Sequence, residues 1–124
     1  MRRLLAVSAS AIALALTLTA CAGSPSTTAE PIEISTDTVV LDVRTPDEYA
    51  GGHLEGSTLL DFNSGELAAA IPNLDPDAEY LVYCRSGNRA GQAIALMEQA
   101  GFTTLTNLGS LQQAADATGL PIVK

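Results

Sequence analysis

Cys84-Arg85-Ser86-Gly87-Asn88-Arg89 is the stretch of this 124-residue chain best equipped for chemistry. It follows an apolar run, Tyr80-Leu81-Val82-Tyr83, and precedes a helical pattern. A cysteine at a strand end, then a turn containing glycine, then a helix start, gathers backbone N–H groups and the positive end of a helix around one sulfur. Arg85 and Arg89 add full charges. All of these favour S⁻ over SH and make a nucleophile at neutral pH. The bland alternative is an inert buried cysteine, the usual fate of a free thiol. The two arginines beside it argue against that alternative.

The elements that must position this loop read as alternating strand and helix. Ile32-Glu33-Ile34 is expected as a short edge strand. Thr38 to Val43 is apolar and β-branched, the signature of a buried parallel strand. Thr45-Pro46-Asp47-Glu48 opens a helix, with Thr45 as N-cap, Pro46 in the first turn and Glu48 closing a capping box, and Gly51-Gly52 ends it. Ser57 to Leu60 reads as a strand, Ser64 to Ile71 as a helix stopped by Pro72, and Asp75-Pro76-Asp77 as a turn. Glu79 to Tyr83 is the central strand. Ala90, Ala93, Ile94 and Met97 form one helical face, with Gly101 as the stop. Phe102 to Thr106 is a further strand, and Ser110 to Thr118 a last helix. The alternation implies a single α/β domain with a small, mostly parallel sheet and helices on both faces.

The N-terminus belongs outside that domain. Arg2-Arg3, the apolar stretch Leu4 to Ala20 and then Cys21 read as an export signal over residues 1–20. Leu18-Thr19-Ala20-Cys21 resembles the lipobox of bacterial lipoproteins, which implies cleavage before Cys21 and lipidation of its thiol. Residues 21–33 then form a lipidated, flexible tether, with small, polar and Pro residues up to Pro31. The domain spans 34–124 and is expected on the extracytoplasmic face of the cell membrane. Without the signal, four basic residues (Arg44, Arg85, Arg89, Lys124) face 14 acidic ones. That balance disfavours nucleic acid as a partner, and it concentrates scarce positive charge beside Cys84. With Cys21 lipidated, Cys84 has no partner for a disulfide; a Cys21–Cys84 bridge is the minor alternative.

Val40-Leu41-Asp42-Val43-Arg44, Glu48-Tyr49, Gly52-His53-Leu54-Glu55-Gly56-Ser57 and Tyr83-Cys84-Arg85-Ser86-Gly87-Asn88-Arg89-Ala90, with Gly101-Phe102 and Asn107-Leu108-Gly109, together resemble a single-domain rhodanese. The resemblance covers about Ile34 to Lys124. It implies a sulfurtransferase, acting as a monomer without cofactor or metal. Cys84 takes a sulfane sulfur from thiosulfate or a similar donor as a persulfide, and cyanide or a thiol accepts it. Arg85, Ser86, Gly87, Asn88 and Arg89 would bind the substrate through charge and loop N–H groups. The chain departs from the family at Ser57, where Ala is usual, and at Gly109-Ser110-Leu111, where Gly-Gly-Trp is common; it has no Trp at all. Asp42 and Arg44 read as an ion pair fixing the strand-to-helix turn, and His53 as a structural turn residue rather than a base. A cysteine-loop phosphatase or arsenate reductase is the enzymatic rival. Its Cys-x5-Arg loop surrounds a tetrahedral oxyanion, whereas Cys84 to Arg89 is one residue shorter and suits a single sulfur atom. A membrane-tethered sulfur-carrier or binding module is the other rival.

Overall fold

A computed structural model describes residues 30–124 of the chain. The expected export segment 1–20, Cys21 and the tether up to Ala29 lie outside the described residues. Four parallel strands make the main sheet: β1 (Thr38–Asp42), β3 (Thr58–Leu59), β4 (Glu79–Cys84) and β5 (Leu105–Ser110), in the order β3-β1-β4-β5. A separate antiparallel pair joins β2 (His53–Leu54) to β6 (Ile122–Val123). The helices are α1 (Pro46–Gly51), α2 (Glu66–Ala70), α3 (Asn88–Gln99) and α4 (Leu111–Thr118), with a 3₁₀ turn at Ile71–Asn73.

Side-chain alternation along the two central strands divides the core into two layers. Leu41, Val43, Tyr80, Val82 and Cys84 face Leu67 of α2 and Ala90, Ala93 and Met97 of α3. Val40, Leu81 and Tyr83 face the other way, against Leu54 and Ala114 of α4. The sheet therefore carries helices on both faces, as the alternating pattern predicts. Each fully buried Leu or Val contributes roughly 1.5–3 kcal/mol, and β1 pairs with β4 along its whole length, Thr38 opposite Glu79 through Asp42 opposite Tyr83.

Local chemistry explains the helix starts nearest the loop. Thr45 is extended, its Oγ1 accepts from the Glu48 N–H at 3.3 Å, and Glu48 Oε2 accepts from the Thr45 N–H at 3.0 Å. Ser110 and Gln113 repeat the device on α4, at 3.1 and 2.9 Å. Three expectations shift. Ile32 to Ile34 forms no strand; Ile32 instead donates its N–H to the Ala117 carbonyl at 2.7 Å. The last long strand runs Leu105–Ser110 rather than Phe102 to Thr106, because Phe102 leaves the helix as a core plug, edge-on to Tyr80 at 5.4 Å. Pro72 does not stop the chain's helical path at once but sits inside the 3₁₀ turn, early enough in it to need no hydrogen-bonded N–H.

Candidate active site

The carboxyl ends of β1, β4 and β5 lie side by side, Asp42 opposite Tyr83 and Cys84 opposite Ser110. Parallel sheets place ligand sites at this edge. Cys84 is the last residue of β4 and fully buried. The chain then turns through Arg85 and Ser86, both exposed, to Gly87, which precedes α3 in a left-handed conformation (φ 93°). The Gly87 N–H donates to Cys84 Sγ at 2.9 Å. Only glycine fits here: its φ disfavours any L side chain, and a Cβ would stand 3.2 Å from the Gly109 Cα. The sulfur thus sits within one turn of the N-terminus of a 12-residue helix, under a loop N–H aimed at it. Asn88 turns its carboxamide along the helix, where Oδ1 accepts from Gln92 at 2.7 Å.

Arg89 and Arg85 take different parts. The Arg89 guanidinium forms a two-pronged pair with Glu48, at 2.8 and 2.9 Å, which ties the first turn of α3 to α1. The Arg89 hydrogen bond holds the Glu48 carboxyl down at about 2, with the Thr45 N–H adding to it against a smaller cost of burial. Glu48 in turn holds the Arg89 proton more tightly than usual. Arg85 has no ion-pair partner among the described residues and remains exposed. The loop therefore offers one committed guanidinium and one open to an anion.

A buried scaffold stands behind these charges. Arg44 closes on Asp42 at 2.6 Å and also donates to the Gly52 carbonyl at 2.7 Å. Burial works against its charge, but the Asp42 pair outweighs that and leaves its pKa raised. This is the turn-fixing ion pair that the residue types predict. Tyr83 lies under the Arg44 guanidinium at 5.4 Å, accepts the Leu54 N–H at 3.0 Å and meets Ser57 Oγ at 3.2 Å. Its burial pushes the phenol up to about 12, so it stays neutral. Ser57, the departure from the family pattern, thus finds a hydroxyl partner. His53 stacks on Tyr49 at 3.6 Å and turns Nδ1 toward the Tyr49 carbonyl at 3.0 Å, a structural post.

A pocket of about 300 Å³ opens beside the loop, lined by Arg44, Asp47, Glu48, Gly51, Gly52, Arg85 and Leu111. Leu111 occupies part of the rim where the residues departed from Gly-Gly-Trp. Arg85 is the loop residue on the pocket wall; Cys84, fully buried at the end of β4, does not line the pocket. Among the described residues no group of three or more His, Cys, Asp or Glu side chains gathers to hold a metal. Two residues at the site escaped the sequence reading as partners of the loop. The residue types show Glu48 as a helix cap and as part of a motif, and Asn107 as part of a motif; yet Glu48 pairs with Arg89, and Asn107 Nδ2 donates to the Gly87 carbonyl at 3.0 Å.

Comparison with known proteins agrees with the fold. The family model "Rhodanese-like domain" matches residues 24–115. The thiosulfate sulfurtransferase GlpE of Pseudomonas entomophila is 41% identical over 70 residues, 56% of this chain and 62% of that protein. The chain thus spans under two thirds of that relative's length. The thiosulfate sulfurtransferase PspE of Escherichia coli is 31% identical over 77 residues, 60% of this chain and 72% of that one. A rhodanese of Escherichia coli solved with anions superposes with a TM-score of 0.57 at 29% identity, over 70% of this chain and 98% of its own.

Proposed function

The chain belongs to the rhodanese-like domain family, and on that premise we propose that it is a sulfurtransferase acting through a persulfide on Cys84. The observation that carries this reading is the Gly87 N–H aimed at Cys84 Sγ from the head of α3, at 2.9 Å. A donor placed there stabilises negative charge on sulfur, both in the thiolate and on the persulfide.

In the first step the Cys84 thiolate attacks the outer sulfur of thiosulfate. The S–S bond of thiosulfate breaks, sulfite leaves with the electron pair, and Cys84 keeps one sulfur as Cys–S–S⁻. In the second step cyanide or a thiolate attacks that outer sulfur; the new S–S bond breaks and the Cys84 thiolate returns. Charge balances in each step. Arg85 draws in the anionic donor, since Arg89 is already compensated by Glu48. The short reach from Cys84 to Arg89 supports sulfur rather than phosphate as the atom enclosed. Sulfite release by the purified full chain checks the reading. Thiosulfate with cyanide is expected to yield sulfite in the wild type and none above background in Cys84→Ser; undiminished release in the variant would sink the assignment.

We also propose that Cys21 carries a lipid that holds the domain at the extracytoplasmic membrane face. Basic residues, an apolar stretch, small residues and a cysteine in that order support it. Labelled fatty acid fed to an expressing bacterium is expected to mark the wild-type chain and not Cys21→Ala.

A further inference from the structure

We propose that Asn107 is a positioning residue for the sulfur-transfer loop, holding Gly87 so that its N–H stays on the Cys84 sulfur. Asn107 lies on β5, an edge strand, and is exposed; nothing in its burial asks for a carboxamide. Its two polar atoms are nevertheless both used. Nδ2 donates to the Gly87 carbonyl at 3.0 Å, and Oδ1 accepts from the Gly109 N–H at 2.9 Å. The partners fix the orientation of the amide: a carbonyl only accepts and an N–H only donates.

The strand is bent to make this bridge. Val82 pairs with Asn107 and Tyr83 with Gly109, so Leu108 is the extra residue of a bulge between β4 and β5. Bulges re-aim side chains next to functional sites. Here Gly109 stands against Gly87, with 3.2 Å between the Gly109 Cα and the place of a Gly87 Cβ. The carboxamide of Asn107 thus ties the turn that follows Cys84 to the end of β5, just before α4. Gly87 takes its left-handed φ of 93° freely, so its hydrogen bonds are what hold it in place. Its carbonyl is gripped by Asn107 and by the Gly91 N–H at 2.9 Å, while its own N–H meets Cys84 Sγ. A carboxamide supplies the donor and the acceptor together. Aspartate keeps the acceptor toward Gly109 but turns an oxygen against the Gly87 carbonyl; serine is too short for both.

The catalytic consequence rests on the sulfurtransferase reading, whereas the restraint on Gly87 does not. The test therefore has two readouts on the full chain in detergent micelles. Amide hydrogen exchange reports Gly87 directly, with buried Leu41 of β1, which pairs with β3 and β4 and not with β5, as internal control. Asn107→Asp is expected to speed Gly87 exchange about tenfold and leave Leu41 unchanged. In steady-state sulfite release the same variant is expected to lose about fivefold in kcat with KM for thiosulfate within twofold, because donor attraction by Arg85 persists. Unchanged Gly87 exchange, or faster exchange with wild-type kcat, would overturn the proposal. Faster exchange with no sulfite from the wild type itself would leave Asn107 its grip and remove the sulfurtransferase reading. Asn107→Ser, which removes both bonds without introducing charge, serves in the same two assays should the aspartate variant not fold.

Discussion

At the scale of single residues, the two arginines of the loop have separate roles. Arg85 is exposed and open to an anion, and Arg89 is spent on Glu48. Arg85→Ala is therefore expected to raise KM for thiosulfate about tenfold, on the order of 1.4 kcal/mol, with little change in kcat; added salt shrinks the difference. Steady-state kinetics at two ionic strengths measure this. Glu48 makes a pH-dependent prediction. Its folded pKa is about 2 against an ordinary 4.5. A depressed carboxylate contributes stability above its unfolded pKa, so the Glu48–Arg89 pair acts fully at neutral pH. That contribution is lost as pH falls from 4.5 toward 2. Glu48→Gln is expected to cost about 1 kcal/mol at pH 7 and progressively less across that window, as denaturant titrations of both chains at several pH values measure.

At the scale of elements, what was legible followed from local rules. The Thr45 cap, Pro46 and Glu48 announce α1 by side-chain chemistry alone, and the structure contains that capping box. The apolar runs of β1 and β4 announce a buried parallel pair. What escaped lacked a local signal. β2 and β6 are two residues each and exist only through mutual pairing. β5 carries Asn107 and Gly109, poor strand formers, so its pattern pointed upstream to Phe102. Glu48 and Arg89 lie 41 residues apart in the chain, and no spacing rule joins them. The turn after Cys84 and the helix that follows it were legible, but the full burial of the thiol was not. Tyr83 shows how one strand organises its neighbours. Its hydroxyl satisfies the Leu54 N–H at the start of the β2 turn and meets Ser57. Tyr83→Phe keeps the ring and leaves that buried N–H without a partner, and is expected to cost about 1–3 kcal/mol, read as a lower Tm with the circular dichroism of the native fold retained.

At the scale of the whole molecule, a small acidic domain gathers its three described arginines at one edge of a sheet. Arg44 and Arg89 brace β1, α1 and α3 around the carboxyl ends of the central strands. Arg85 remains at the pocket mouth. Two glycines and the bridge from Asn107 hold the turn after β4 against the end of β5, beside the thiol. This assembly makes sense if the atom to be held is a single sulfur on Cys84, passed between molecules that enter and leave. Mass spectrometry of the full chain after exposure to thiosulfate tests that claim most directly. The account predicts that the peptide containing Cys84 gains the mass of one sulfur atom, in step with the sulfite released, and loses it again on addition of cyanide. A Cys84 that stays unmodified while sulfite appears, or a sulfur gained at another residue, would contradict it.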